Sequence, residues 1–135
     1  MGKTGKLLVV SGPSGVGKGT IVSGVTEHLG ETVKLSISAT TREPRQGEQD
    51  GVHYHFLSGE EFLHRVEKGE FLEYASVHGH YYGTPRRLVE EALDEGRDVI
   101  LEIEIQGALR IRELMPEAIL VFVTPPSAQD RKSVV

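Results

Sequence analysis

The run Gly12-Pro13-Ser14-Gly15-Val16-Gly17-Lys18 constrains this chain more than any other feature. It follows a short apolar run, Leu7-Leu-Val-Val10. It precedes a stretch with Ile21, Val25 and Leu29 at helical spacing, closed by Gly30. Gly-x4-Gly-Lys between a buried strand and a helix is the arrangement in which successive backbone N–H groups point at one anion. The helix N-terminus adds its positive dipole end, and the lysine supplies a point charge for the β- and γ-phosphates. A plain glycine-rich turn is the competing reading, and the conjunction of strand, loop and helix argues against it. Gly12 to Lys18, with Gly19 and Thr20, therefore read as a nucleoside triphosphate site. One departure stands out. Gly19 occupies the place where Ser or Thr normally helps to hold Mg²⁺, and Thr20 lies about 100° further round the helix. Water or another side chain is expected to complete the metal shell.

The bulk properties narrow the class. A chain of 135 residues suffices for one domain with a core. Its formal net charge of −5 disfavours nucleic acid and anionic membranes as partners, since both require a basic surface. The absence of cysteine excludes disulfides and thiolate metal sites. No apolar run approaches the ~18 residues of a membrane span, and the N-terminus reads neither as a signal peptide nor, despite Gly2, as a myristoylation site. A cytoplasmic enzyme or binding domain is expected.

Strands alternate with helices along most of the chain. Lys34–Ser38, Asp98–Ile103 and Ala118–Val123 read as strands. Thr84-Pro85 reads as a helix start, with the threonine hydroxyl as N-cap and an apolar face of Leu88, Val89, Ala92 and Leu93 up to Gly96. Gln106–Leu114 reads as a further helix, ended by Pro116. The pattern predicts an α/β fold with a mainly parallel sheet. The middle, Thr40 to Gly83, differs: it is polar, glycine-rich and holds all four tyrosines. Val52–Leu57 and Phe71–Val77 read as strands around one short helix, with Ser58 and Glu61 as a capping box. Residues 1–39 and 84–135 then form the core, and 40–83 an insertion with its own sheet.

Ser38-Ala-Thr-Thr-Arg42-Glu-Pro-Arg45-Gln-Gly-Glu48 opens that insertion. Two arginines beside hydroxyls, with a tyrosine following, suit bidentate capture of a second phosphate, although two solvated loop arginines are an equally simple reading. Four segments together carry a resemblance: residues 11–20, residues 38–48, Gly79-His-Tyr-Tyr-Gly-Thr-Pro85, and Leu101-Glu-Ile-Glu-Ile-Gln-Gly-Ala108. In this order they closely resemble guanylate kinase, from Leu7 to about Ser127.

The resemblance implies a P-loop NTPase three-layer fold with a small α+β GMP-binding insertion. It also implies transfer of the γ-phosphoryl of ATP to GMP with Mg²⁺ as cofactor. By resemblance, Lys18, Arg42 and Arg45 are catalytic, and Arg42, Arg45, Tyr54 and Tyr82 hold the GMP phosphate. Ser38, Glu73 and Thr84 read the guanine, and Glu102 closes the GMP site. A carboxylate accepts from the donor-only N1–H and N2–H₂ edge of guanine, and adenine lacks that donor pair. Glu102, at the end of an apolar strand, is also placed to hold Mg²⁺ directly or through water. Glu104 stands two residues on, and which of the two serves which purpose is left open. His53, His55, His78 and His80 lack a completing ligand at a recognised spacing, so histidine-bound metal is not expected.

Beyond the Pro-Pro-Ser turn the family carries a lid with arginines, a final strand and a helix. The tail to Val135 lacks their pattern, with Arg131 the sole candidate remnant. The expectation is a C-terminally truncated member that binds nucleotides better than it turns them over, and whose last strand is an apolar edge prone to self-association. Two other readings compete. A non-enzymatic guanylate-kinase-like interaction module is disfavoured by the retained phosphate loop, and a kinase for another nucleotide by Ser38, Glu73 and Thr84.

Overall fold

Strand β1 (Leu7–Ser11) sends alternate side chains to opposite faces, and both faces are covered. On one side Leu7 and Val9 join Val99 and Leu101 of β7 (Asp98–Glu102). There they meet Val89, Ala92 and Leu93 of α3 (Arg86–Asp94) and Ala108 and Ile111 of α4 (Ile105–Leu114). On the other side Val10, Ile100 and Val33 of β2 (Val33–Ser36) meet Val22 and Val25 of α1 (Lys18–Leu29). Burial on two faces is why these strands are continuous apolar runs. Val9, Val99, Leu101 and Ile111 are completely buried, each contributing roughly 1.5–3 kcal/mol of hydrophobic stabilisation.

The computed structural model describes residues 4–12 and 18–124. The expectations for Pro13, Ser14, Gly15, Val16 and Gly17, for the side chain of Lys18 and the surroundings of Gly19, and for the tail with Arg131 lie outside the described residues. Among the described residues the main sheet runs β2-β7-β1-β8, all parallel, with β8 (Ile119–Phe122) at one edge. Val10 of β1 stands opposite Glu102 of β7. The carboxyl ends of the two strands therefore meet side by side, the place where open α/β sheets bind ligands. The fold is that of the P-loop NTPases.

A second sheet, ordered β4-β3-β6-β5, is built from β3 (Ala39–Thr40), β4 (His55–Phe56), β5 (Phe71–Val77) and β6 (His80–Pro85). The β5–β6 hairpin turns through His78 and Gly79, whose φ angles of 51° and 80° give the left-handed pair that tight hairpins favour. Helix α2 (Gly59–Glu67) packs on this sheet through Phe62, which stacks on Phe71 at 4.5 Å and on Tyr81 at 5.2 Å between ring centroids. Leu72 of β5 enters the main core and fastens the two sheets together.

Several local expectations are corrected. Helix α3 begins at Arg86 with Pro85 as N-cap and no side-chain cap. Thr84 belongs instead to β6, because its hydroxyl is taken by a buried carboxylate. The strand expected at Val52–Leu57 shrinks to His55–Phe56: the N–H groups of Val52 and His53 both turn back to the Gln49 carbonyl. Strand β2 ends at Ser36, so Ser38 lies beyond it. The α1 face rotates to Val22 and Val25, and Ile21, Leu29 and Leu88 are exposed. Only half of the capping box forms. Ser58 Oγ accepts the Glu61 N–H at 3.1 Å, while the Glu61 carboxylate takes Arg65.

Candidate active site

A cleft of about 470 Å³ opens between the second sheet and the carboxyl ends of the main-sheet strands. Ser38, Arg45, Tyr54, Glu73, Tyr82 and Glu102 line it. Residues from four separate stretches of sequence thus share one cavity.

At one end lies a cationic cluster. The backbone of β3 sets it: the Arg42 N–H donates to Thr40 Oγ1 at 3.2 Å, and the Thr40 hydroxyl donates to the Tyr81 carbonyl at 2.9 Å. Arg42 is only 9% exposed, and a guanidinium so buried requires a counter-charge. Glu48 provides it, accepting from Nη1 at 2.9 Å and Nη2 at 3.0 Å, and accepting the Arg45 N–H at 2.7 Å as well. Arg42 Nη1 also donates to the Glu43 carbonyl. Three of the five guanidinium N–H groups are thereby used. The Arg42 Cζ sits 5.2 Å from the Tyr54 ring centroid, and the phenols of Tyr54 and Tyr82 interact with the same guanidinium. The Arg42 hydrogen bonds and the Arg45 N–H pull the Glu48 carboxyl down to about 2, and burial raises the Tyr54 phenol. The bidentate partner of Arg42 is therefore Glu48, while Arg45 is exposed at the cleft.

At the other end stands Glu73, 7% exposed. Its Oε1 accepts the Thr84 hydroxyl at 2.8 Å across the β5–β6 pair, and its Oε2 has no partner. Burial raises its proton affinity, against the lowering influence of Thr84 and Arg110. Thr84 is completely buried and stands behind Glu73 rather than on the cleft wall. Ser36 Oγ is a second buried, unpartnered polar atom bordering the cleft.

The floor is acidic. Glu102 ends β7, and Glu104 is the N-cap of α4 without a side-chain cap bond; both face the cleft. The strand stops between them, so their common placement comes from the β7–α4 turn rather than from strand alternation. Carboxylate oxygens suit Mg²⁺, which keeps several of its waters. Among the described residues no group of three His, Cys, Asp or Glu is arranged to hold a metal ion. His53 has its Nδ1 occupied by the Gln49 N–H at 2.9 Å.

Of the sequence-predicted residues, Ser38, Arg45, Tyr54, Glu73, Tyr82 and Glu102 come together on the cleft, with Arg42 and Thr84 directly behind. Thr20, expected beside the phosphate loop, is exposed on α1. Glu48 and Gly107 also line the cleft and carried no expected function. Nothing in periodicity links Glu48 to a residue six positions earlier in a loop.

A parallel sheet with a phosphate-loop sequence after its central strand, and a second sheet holding a buried carboxylate and an arginine–tyrosine cluster, define a nucleotide-binding protein of the P-loop class. The sequence profile of the guanylate kinase family matches residues 4–135, and this chain belongs to that family. It is 55% identical to the guanylate kinase of Clostridioides difficile (strain 630) over 97% of its own length and 63% of the relative's. It is 53% identical to that of Caldanaerobacter subterraneus subsp. tengcongensis, with the same coverages. The crystal structure of guanylate kinase from Anaplasma phagocytophilum superposes with a TM-score of 0.79 at 36% identity, covering 98% of this chain and 66% of that one. The chain spans about three fifths of the length of the curated relatives it matches.

Proposed function

We propose that this chain carries the phosphate loop and the acceptor site of an ATP:GMP phosphotransferase, and that residues 40–83 act as the GMP-binding insertion. The observation that carries the reading is one cleft with a buried carboxylate, one oxygen of which has no partner, at one end and an arginine–tyrosine cluster at the other. A nucleoside monophosphate has matching ends: a donor-bearing base edge and a dianionic phosphate.

In this reading Glu73 accepts from guanine N1–H and N2–H₂, positioned by Thr84, with Ser38 at the base edge. Arg42, Arg45, Tyr54 and Tyr82 hold the phosphate. Glu48 fixes the Arg42 plane, so less side-chain entropy is lost on binding. The acceptor phosphate oxygen is itself the nucleophile and is largely ionised near neutral pH, so no strong general base is required. The chain's contribution is alignment of donor and acceptor and neutralisation of their charge. Gly12 to Gly19, Lys18 and Thr20 belong to the ATP side. Mg²⁺, when bound, would neutralise charge on the transferring phosphates; Glu102 would hold it through water while also bordering GMP, with Glu104 beside it. Approach of the second sheet to the core excludes water.

No helix among the described residues is long and apolar enough to cross a membrane. Ile119, Val121 and Phe122 are exposed at the β8 edge, which supports self-association of this chain.

The test is ADP formation from ATP with GMP, AMP or dTMP as acceptor, with calorimetric titration of GMP alongside. GMP-dependent turnover supports transfer by this chain. GMP binding without turnover confines the reading to binding. An absence of GMP binding would sink the acceptor-site assignment. Lys18→Ala should abolish ATP binding and leave GMP binding in place.

A further inference from the structure

Helix α4 runs beside the Glu73 carboxylate, and the residue it presents there is Gly107. A Cβ at this position would stand 3.0 Å from Glu73 Oε2, 3.1 Å from Oε1 and 3.2 Å from Cδ. Contacts this short against all three atoms would press on the whole carboxylate rather than on one flexible tip. The carboxylate can give way only by disturbing its own contacts. Its Oε1 is tied to Thr84 at 2.8 Å, and its residue is paired with Thr84 in the β5–β6 ladder. Helix α4 is equally fixed, since the next residue, Ala108, and Ile111 are completely buried in the main core. Glycine is a poor helix residue, so its place in the first turn of α4 calls for a reason beyond the helix. The same carboxylate leaves Oε2 without any partner although the residue is more than nine-tenths buried. An unpaired buried oxygen of this kind is costly unless something else comes to bond it.

We infer that Gly107 is a specificity-determining residue. Its missing side chain sets how far the Glu73 carboxylate stands back toward α4, and so lets both oxygens meet the N1–H and N2–H₂ groups of a guanine base together. A methyl group at 107 pushes the carboxylate out of that register, so that one of the two base contacts is lost. The inference rests on the reading of Glu73 as the residue that meets the base. It adds that guanine selectivity is held jointly by β5 and α4, one element from each sheet system.

The experiment is calorimetric titration of GMP and of inosine monophosphate, which keeps N1–H but lacks the 2-amino group. The proteins are the 135-residue chain and its Gly107→Ala, Glu73→Asp, Glu73→Gln and Glu73→Asp/Gly107→Ala forms, with thermal unfolding of each. Gly107→Ala is expected to weaken GMP binding roughly ten- to a hundredfold, the worth of one hydrogen bond to a charged group. It is expected to narrow the preference for GMP over inosine monophosphate and to leave the melting temperature near that of the parent. In the Glu73→Asp background the carboxylate is one methylene shorter and the contact is gone. There the same glycine substitution should cost less than about twofold, a non-additivity that a merely structural glycine would not produce. GMP affinity and base preference unchanged in Gly107→Ala, or an equal penalty in both backgrounds, would overturn the inference while leaving the Glu73 reading intact. Full GMP affinity in Glu73→Gln would overturn both.

Discussion

Glu48 binds Arg42 edge-on, with carboxylate oxygens 2.9 and 3.0 Å from the two terminal nitrogens of the guanidinium. The pair is worth more than an exposed ion pair because Arg42 is buried and the contact is bidentate. It also holds the residue expected to meet a phosphate before any phosphate arrives.

Loss of this pair should appear in the acid stability of the chain. The folded state depresses Glu48 from 4.5 to about 2, through Arg42 first and the Arg45 N–H second. A depressed carboxyl stabilises the fold fully above its unfolded value and loses that contribution as pH falls through its folded value. Urea unfolding of the parent and of Glu48→Gln should therefore differ by up to about 3 kcal/mol at pH 7. The difference should close between pH 4.5 and about 2. A gap that persists unchanged at pH 2 would assign the effect to packing.

Thr84→Val keeps shape and removes the hydroxyl that donates to Glu73. Both carboxylate oxygens are then without a protein partner in a buried site. The expected loss of stability is about 1–3 kcal/mol at neutral pH, and the proton affinity of Glu73 should rise further, since Thr84 is the first of the two influences, with Arg110, that lower it. Denaturant unfolding across a range of pH checks the sign: the loss should shrink as pH falls and Glu73 takes up its proton.

Burial raises Glu73 above the ordinary carboxylate range. An acid with a raised folded value favours the fold when protonated, and that contribution disappears as pH rises through the folded value. Glu73→Gln should therefore leave the unliganded chain as stable as the parent or more so at pH 7, and yet weaken guanine binding roughly ten- to a hundredfold. Affinity of the parent for guanine should fall on mild acidification. Guanosine is the right probe, because a nucleotide phosphate titrates near pH ~6 itself.

Gly83→Ala tests the second sheet. A Cβ there would stand 2.9 Å from Phe71 Cδ1 and 3.0 Å from Phe62 Cζ, inside the stacked aromatic core. Overpacking of this kind costs about 1–3 kcal/mol. A lower melting temperature and faster amide exchange confined to β5, β6 and α2 are expected. Uniformly faster exchange in the main sheet as well would show that the two sheets open together.

Much of the main sheet was legible in residue order. Strands β1, β7 and β8 are apolar runs bounded by Gly, Pro or charge, and helices α1, α3 and α4 carry 3.6-residue periodicity. The second sheet was harder to read. Strand β6, His80–Pro85, has no clean alternation, and Thr84-Pro85 imitates a helix start. The Val52–Leu57 run has strand-forming residues, but Asp50 Oδ1 takes the Phe56 N–H at 2.8 Å and Gly51 turns at φ 80°, which leaves only two residues to pair. Local propensity yields where a side chain supplies a stronger partner than the element would.

From the sequence alone came the phosphate-loop pattern, the α/β class, and the resemblance that named Arg42, Arg45, Tyr54, Glu73, Tyr82 and Glu102 as one set. The first two are properties of residue types at short spacings, where chain connectivity itself fixes what lies near what; the third rests on the family resemblance. Tertiary structure decided which of these groups are free and which are already engaged. It gave Arg42 to Glu48, put Thr84 behind Glu73, and brought Gly107 within a methyl's breadth of the same carboxylate. Those contacts join residues brought together by burial and sheet pairing rather than by periodicity. For the first two the physical cause is the cost of leaving a buried charge or polar atom unpaired, and for Gly107 it is the close packing of α4 on β5, both of which become definite only once the core has formed.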